Sequence, residues 1–383
     1  MLTLPSKLPK VGTTIFTVMS TLASELGAIN LSQGFPDYDG ADFLKERLDY
    51  HVRSGANQYA PMTGIPRLNA AIAEKVMHHY GCRTNPEKEI TITLGATEAL
   101  FDAIQTVIRP GLEAIVFDPA YDSYEPAVEL AGGRCIHLPL DANDFSIPWE
   151  ALEKTISENT RLIIFNSPHN PSGAILSASD LDRLWQIVKD REVFLLSDEV
   201  YEHIIFDGQP HQSLLRHDAL AQRSFVVSSF GKTYHMTGWR VGYCIAPEPM
   251  SSEFRKIHQY VTFSIPNPLQ NALADMLISR PEHADELPGF YQQKRDFFTA
   301  AMAESRFDLL PCSGTYFQLA DYSRINDLDD LEFCHWLART AGVVAVPISV
   351  FYQTPPEKQR LIRFCFCKGE KTLAQGARQL CRI

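Results

Sequence analysis

No run of apolar residues in this chain reaches the roughly 20 that a bilayer-spanning helix needs, so no membrane segment is expected. The opening stretch MLTLPSKLPKVGTTIF has two lysines but no continuous apolar core before a small-residue cleavage site, and no signal peptide is expected either. Positive charge is scarce: the formal net charge is -11, against the basic stripe that a nucleic-acid surface requires. Cys-x-x-Cys, His-Glu-x-x-His and Gly-x-Ser-x-Gly are all absent, which withdraws support from zinc sites, zinc proteases and serine hydrolases. The eight cysteines are dispersed, two of them (Cys365, Cys367) in an apolar strand-like run, so free buried thiols are expected rather than disulfides or metal ligands. What is present is an ordinary globular composition, 45% hydrophobic and 21% charged, in 383 residues, enough for two domains. A cytoplasmic protein is the expectation.

From about residue 66 helical and strand patterns alternate. RLNAAIAEKVMHHY (67–80) places Leu68, Ala71, Ile72 and Val76 on one helical face. Short apolar runs follow at 89–94, 113–118, 134–140, 161–166, 192–198, 224–229 and 241–246, with helical patterns at 96–108 and 178–190, the latter with Ser177 as N-cap. Near-continuous apolar strands separated by helices predict an α/β fold with a mainly parallel sheet covered on both faces. After Pro281 the pattern changes to a long helix at about 288–304, further strands and a terminal helix. The expected division is an N-terminal arm joined to the small domain (1–40), a large domain (41–280) and a smaller α+β domain (281–383).

In such sheets ligands sit beyond the carboxyl ends of the strands, and one stretch there stands out: SSFGKTYHMTGWRVGY, residues 228–243. Gly231-Lys232-Thr233 is how a nucleotide phosphate loop ends, but that loop needs a glycine five residues before Gly231, and Val226 stands there inside a strand. The nucleotide reading fails. Hydroxyls at Ser228 and Ser229 and the guanidinium of Arg240 instead suit a phosphate-bearing ligand, leaving Lys232 free for covalent work.

Pyridoxal phosphate would need three further things. A carboxylate must keep the pyridine nitrogen protonated; at about 4 Å and an effective dielectric near 20 that pair is worth roughly 4 kcal/mol. FLLSDEVYEH supplies Asp198 at a strand end, with Tyr201 three residues on. The phenolic oxygen needs donors, for which NSPHNPSG offers Asn170 beside Tyr201. The phosphate needs a helix N-terminus, and LGATEALF offers Gly95, Ala96 and Thr97. Each piece alone has an ordinary explanation as a turn, a cap or a helix start. All of them after strands, in consistent order, argue for the cofactor.

With these motifs the sequence resembles the class I/II aminotransferases of PLP fold type I, from about Thr13 to the C-terminus. NLSQGFPDY, NQYAPMTGIPRL, DPAYDSYEP and IRFCFCK add to the likeness and favour the kynurenine–glutamine–methionine aminotransferase branch. The resemblance implies a large pyridoxal-phosphate-binding domain with a mainly parallel seven-stranded sheet plus the smaller domain. It implies that Lys232 holds the cofactor covalently and serves as acid and base at the substrate Cα. Asp198 would face the pyridine nitrogen, Asn170 and Tyr201 the phenolic oxygen, and Tyr121 the ring face. Ala96, Thr97, Ser229 and Arg240 would hold the phosphate, with Tyr59 reaching the partner subunit's phosphate in a homodimer with shared sites. Arg363 would clamp the substrate α-carboxylate, with Asn170, the backbone near Gly34, and Phe16 beside it.

The implied activity is ping-pong transfer of an amino group from an amino acid to a 2-oxo acid. Methionine is the favoured donor, with aromatic residues, histidine or glutamine also accepted. Some relatives have tyrosine where Thr97 stands and tryptophan near Phe16, so kynurenine preference does not carry over. A kynurenine aminotransferase or cysteine-conjugate β-lyase on the same scaffold, or a non-catalytic regulatory protein, are the alternatives.

Overall fold

The computed structural model describes residues 4–383. A seven-stranded sheet organises the first two-thirds of the chain. Its strands are β1 (Ile90–Thr93), β2 (Glu113–Asp118), β3 (Arg134–Pro139), β4 (Thr160–Asn166), β5 (Phe194–Asp198), β6 (Ser224–Ser229) and β7 (Gly242–Ile245), in the spatial order β1-β7-β6-β5-β4-β2-β3. Pairing is parallel from β3 through β6, while β7 runs antiparallel to both its neighbours.

Alternation along the strands explains why these apolar runs are continuous. Ile115, Phe117, Ile163, Phe165, Leu195 and Val226 pack on one face, and Ala114, Val116, Leu162, Ile164, Leu196 and Val227 on the other. A sheet buried on both sides can spare neither set. The covering helices include α1 (Pro66–Tyr80), α2 (Gly95–Val107) and α3 (Ala178–Val188). Helix α3 starts at Ser177 as expected, with a full capping box: Ser177 accepts from Asp180 N–H, and the Asp180 carboxylate accepts from Ser177 N–H.

One local feature was not anticipated and one expectation changes. The chain between β6 and β7 forms no full helix. It makes one turn, α4 (Phe230–Thr233), and a 3₁₀ turn (Thr237–Trp239), and then reverses. A parallel neighbour would need a crossover of a dozen or more ordered residues, which two disconnected turns do not supply. After α5 (Glu248–Val261), helix α6 runs from Glu282 to Ala301, starting six residues before the expected 288 and carrying Pro288 inside it. Burial of Ala284, Leu287 and Tyr291 on that stretch offsets the one backbone hydrogen bond that Pro288 cannot donate.

The C-terminal part forms a four-stranded antiparallel sheet from β8 (Asp308–Leu309), β9 (Phe317–Asp321), β10 (Val346–Pro347) and β11 (Leu361–Cys365), ordered β10-β11-β9-β8. Its core, around Phe317, Phe333, Leu337 and Phe364, also takes in Met19 and Leu22 from the N-terminal helix Ile15–Leu26. Residues Ile29–Asn30 pair in parallel with Val343–Val344, tying the N-terminal arm to this body. Of the cysteines, Cys244, Cys312, Cys334, Cys365 and Cys367 are buried free thiols, while Cys82, Cys135 and Cys381 are partly exposed.

Candidate active site

A cavity of about 160 Å³ opens at the carboxyl ends of the parallel strands. The residues expected at the cofactor line it except Tyr59, Gly95 and Ser228, and the Ser228 hydroxyl donates instead to the buried Glu202 carboxylate. Three strand ends deliver the chemistry. Asp198 is the last residue of β5, Ser229 the last of β6, and Lys232 lies in the single turn of α4 that follows.

The Lys232 amine donates to Tyr316 Oη at 2.8 Å and to Gly34 O at 3.2 Å, and Tyr316 Oη donates in turn to Gly34 O at 2.5 Å. Burial disfavours the ammonium and brings the Lys232 pKa down to about 8, against a smaller upward pull from Cys367 and Cys365. An amine poised there is a competent nucleophile near neutral pH. The protein stripped of cofactor should therefore capture an aldehyde faster as pH rises, levelling above about 8. Stopped-flow absorbance across pH 6–10 checks this; a rate still climbing steeply at the top of that range would contradict the buried amine.

Asp198 is buried, its Oδ2 accepting from Tyr124 O–H at 2.7 Å and its Oδ1 from Val200 N–H at 3.4 Å. Burial pushes its pKa up to about 6 in spite of those bonds. It lacks an ion pair among the described residues, so a cationic ring nitrogen would meet a carboxylate already aligned and undersupplied with charge. Asn166 braces the same corner: its Nδ2 donates to Asp198 O at 2.9 Å, and its Oδ1 accepts from Asn170 N–H at 2.7 Å.

At the opposite wall, helix α2 points its N-terminus into the cavity. Arg240 lies beside it, its Nη2 donating to Thr97 Oγ1 at 3.4 Å and its Nη1 to Thr237 O at 3.2 Å. Arg240 holds a left-handed backbone, φ 54°, a conformation uncommon outside glycine and typical of functional sites. Gly95, at φ 74°, is required here, since a Cβ would come within 2.8 Å of the Arg240 Nη2. The Ser229 hydroxyl accepts from Gly231 N–H at 3.2 Å, which leaves its own proton to donate. A guanidinium, a helix N-terminus and a free hydroxyl converge with no carboxylate among the described residues pairing with Arg240. That donor set fits a phosphate.

Arg363, on β11, is 1% exposed, yet no described carboxylate pairs with it. Its Nη1 donates to Asn170 Oδ1 at 2.6 Å and its Nη2 to Ser32 O at 3.2 Å, while Nε has no partner. Phe317 stacks 3.8 Å from the guanidinium carbon, and Phe16 lies at 5.3 Å. A buried cation without a counter-ion is costly, and a carboxylate is the group that would relieve it.

Tyr201 is buried edge-on to Tyr316, ring centres 5.2 Å apart. Tyr121 is half-buried and borders both this cavity and an adjoining cleft of about 630 Å³. Tyr59 is 84% exposed and lies outside the cavity of its own chain, its ring 5.5 Å from Phe263. Sequence reasoning missed Tyr124, Asn166 and Tyr316. The first two stand inside motifs already singled out, DPAYDSYEP and NSPHNPSG; nothing local marks Tyr316.

A reactive lysine facing a buried carboxylate, with an anion seat at one end and an unpaired arginine at the other, defines the class of enzymes that work on amino acids through a phosphorylated aldehyde cofactor. The chain belongs to the class I and II aminotransferases, whose family model matches residues 27–380, and these enzymes are pyridoxal-phosphate-dependent. It is 55% identical to methionine aminotransferase of Escherichia coli (strain K12), over 98% of this chain and 97% of that protein. The crystal structure of YbdL from Escherichia coli, in which a methionine aminotransferase function was identified, superposes with TM-score 0.98 at 54% identity, covering all of both chains. N-succinyldiaminopimelate aminotransferase from Mycobacterium tuberculosis follows with TM-score 0.95, 36% identity, and 99% and 100% coverage. Kynurenine–oxoglutarate transaminase 1 of Homo sapiens is 30% identical over 92% of this chain and 91% of its own length. Among the described residues no helix is long and apolar enough to cross a membrane.

Proposed function

We propose that this aminotransferase takes methionine as its preferred amino donor, accepts other uncharged or aromatic donors, and works as a homodimer with shared sites. The observation that carries the reading is Arg363, a buried unpaired guanidinium reached from the same wall as Asn170. It is the seat for the α-carboxylate that every donor and every 2-oxo acid acceptor has. No arginine lines the adjoining cleft, whose walls include Ile15, Val18, Phe101 and Phe351. A donor with a side-chain carboxylate would find no fork there, whereas a thioether or a ring would be at home. The 55% identity to a methionine aminotransferase supports the same choice.

Pyridoxal phosphate supplies an aldehyde carbon and a protonated pyridine ring able to accept the electron pair of the substrate Cα–H bond. The residues divide the remaining work. Arg240, Ser229 and the amides of Ala96 and Thr97 hold the phosphate. Asp198, braced by Tyr124, keeps the proton on the ring nitrogen. Asn170 and Tyr201 donate to the phenolic oxygen, and Tyr121 covers the ring. Arg363 would orient the substrate, with Phe16 beside it, so that the Lys232 amine could take the proton from Cα and deliver it to the cofactor's former aldehyde carbon. Tyr316 and Gly34 O receive the lysine amine when it is not engaged. The cycle runs as two half-reactions, with ping-pong kinetics.

Support for the dimer comes from Tyr59, exposed beside Phe263 and accompanied by the equally exposed Tyr260 and the half-exposed Val261, an apolar group that a partner would cover. The same reading divides the chain into a large cofactor domain (41–280) and a small domain (281–383, with 1–40), consistent with the strand pairing across Ile29–Val343.

A donor panel tests the substrate reading. With a fixed 2-oxo acid, methionine should give the highest kcat/KM, with glutamine, phenylalanine and histidine behind it. Aspartate or alanine as clearly the best donor would overturn the proposal. Pyruvate and ammonia released from a cysteine conjugate without any oxo acid would point instead to β-elimination.

A further inference from the structure

Behind the phosphate seat lies a buried polar relay that the reaction itself does not use. His258, on α5, is 0% exposed. Its Nε2 faces Met62 O at 3.0 Å, and its Nδ1 faces Glu98 Oε1 at 2.6 Å. The other Glu98 oxygen accepts the backbone N–H of Leu94, the residue immediately before Gly95. Met62 belongs to the segment that bears Tyr59, and the end of α5 returns to that segment. Thr262 and Phe263 N–H both donate to His258 O at 3.0 Å, and Phe263 packs against Tyr59.

A carbonyl oxygen can only accept, so Nε2 carries a proton and donates to Met62 O. Nδ1 and the Glu98 carboxylate then share a second proton. Burial opposes an imidazolium, but the neighbouring Asp102 and Glu98 carboxylates outweigh it and raise the His258 pKa to about 9. Asp102 Oδ2 stands 3.7 Å from Nδ1, and neither Asp102 oxygen has a hydrogen-bond partner. The 2.6 Å between His258 Nδ1 and Glu98 Oε1 is the separation of a charge-assisted hydrogen bond.

We propose that His258 is a positioning residue for the phosphate clamp, holding the Gly95–Thr97 turn through Glu98 and the Tyr59 segment through the Met62 carbonyl. One side chain thus sets the register of the anion seat in its own subunit and of the tyrosine offered to the partner's seat. The inference rests on the assignment of that turn and of Tyr59 to a phosphate, made above.

The test compares pyridoxal 5′-phosphate with pyridoxal, which lacks the phosphate, titrated into full-length protein stripped of cofactor. Wild type should bind the phosphorylated form far more tightly; if it does not, the phosphate assignment itself falls. Given that preference, His258→Gln can keep only one of the two hydrogen bonds and should lose about tenfold in affinity for pyridoxal 5′-phosphate. Its affinity for pyridoxal should stay within about twofold, since the lysine and carboxylate end is untouched. Equal losses for both ligands, or none for either, would overturn the positioning role. Glu98→Gln should reproduce the pattern and serves where His258→Gln folds poorly. Tyr59→Phe should cost less in the His258→Gln background than in wild type; fully additive losses would remove the Tyr59 half of the proposal.

Discussion

Lys232→Ala should lower the rate of transamination by about 10⁴-fold, the upper range for loss of a positioned acid–base group. The variant should still take up pyridoxal phosphate, because Arg240, Ser229 and the α2 amides are unaltered, but without the visible absorbance of covalently held cofactor. Stability gives the control. Burial depresses the lysine pKa from 10.5 to about 8, so keeping the ammonium inside the fold is unfavourable below pH 8. That penalty fades only as pH rises from 8 toward 10.5. Removing the amine relieves the penalty, and the stripped variant should melt no lower than wild type at neutral pH. Rate, spectrum and melting point are read on one preparation. Turnover at the wild-type rate would sink the assignment of Lys232 as the working base.

The second large effect belongs to Arg363. Arg363→Met removes the cation that meets the α-carboxylate and should cost about 10³-fold in kcat/KM, as truncating one partner of a desolvated charge pair does. Arg363→Lys keeps the charge but not the fork, and with it the reach to both Asn170 Oδ1 and Ser32 O. It should recover part of the loss, with KM still raised. Initial rates over a range of methionine concentrations separate the two variants. If both variants kept a wild-type KM for methionine, the carboxylate would have to bind elsewhere.

Much of this site was legible because its parts are local. Asp198 ends a strand, Asn170, Ala96, Thr97 and Lys232 each follow one within a few residues, and a buried sheet announces its strands as apolar runs. Arg240 was legible for the complementary reason, standing just before one. The direction of β7 was not legible. The 12 residues between Ser229 and Gly242 have the length of a crossover, and only the geometry of two separate turns shows that the chain reverses. Tyr316 was hidden by distance along the chain, its hydroxyl meeting a carbonyl 282 residues earlier. The helix α6 start was misplaced because Pro288 reads as a beginning, while burial along 284–291 carries the helix through it. The relay from Leu94 to Met62 joins segments 160 and 196 residues apart through His258, and no periodicity encodes such a meeting.

The reversal between β6 and β7 also determines where this protein can change length. Lys232 and Arg240 hang on the two arms of one antiparallel reversal, with Ser229 paired to Gly242 at its base. The covalent anchor and the phosphate anchor are thereby held at a fixed span, like the points of a caliper. One inserted residue would open that span and shift one anchor against the other, whatever its identity. Loops on the far edge of the sheet, such as the exposed stretch at 141–144 after β3, carry no such measure. Domain insertions, tags and new chain termini belong there, and the reversal must keep its length.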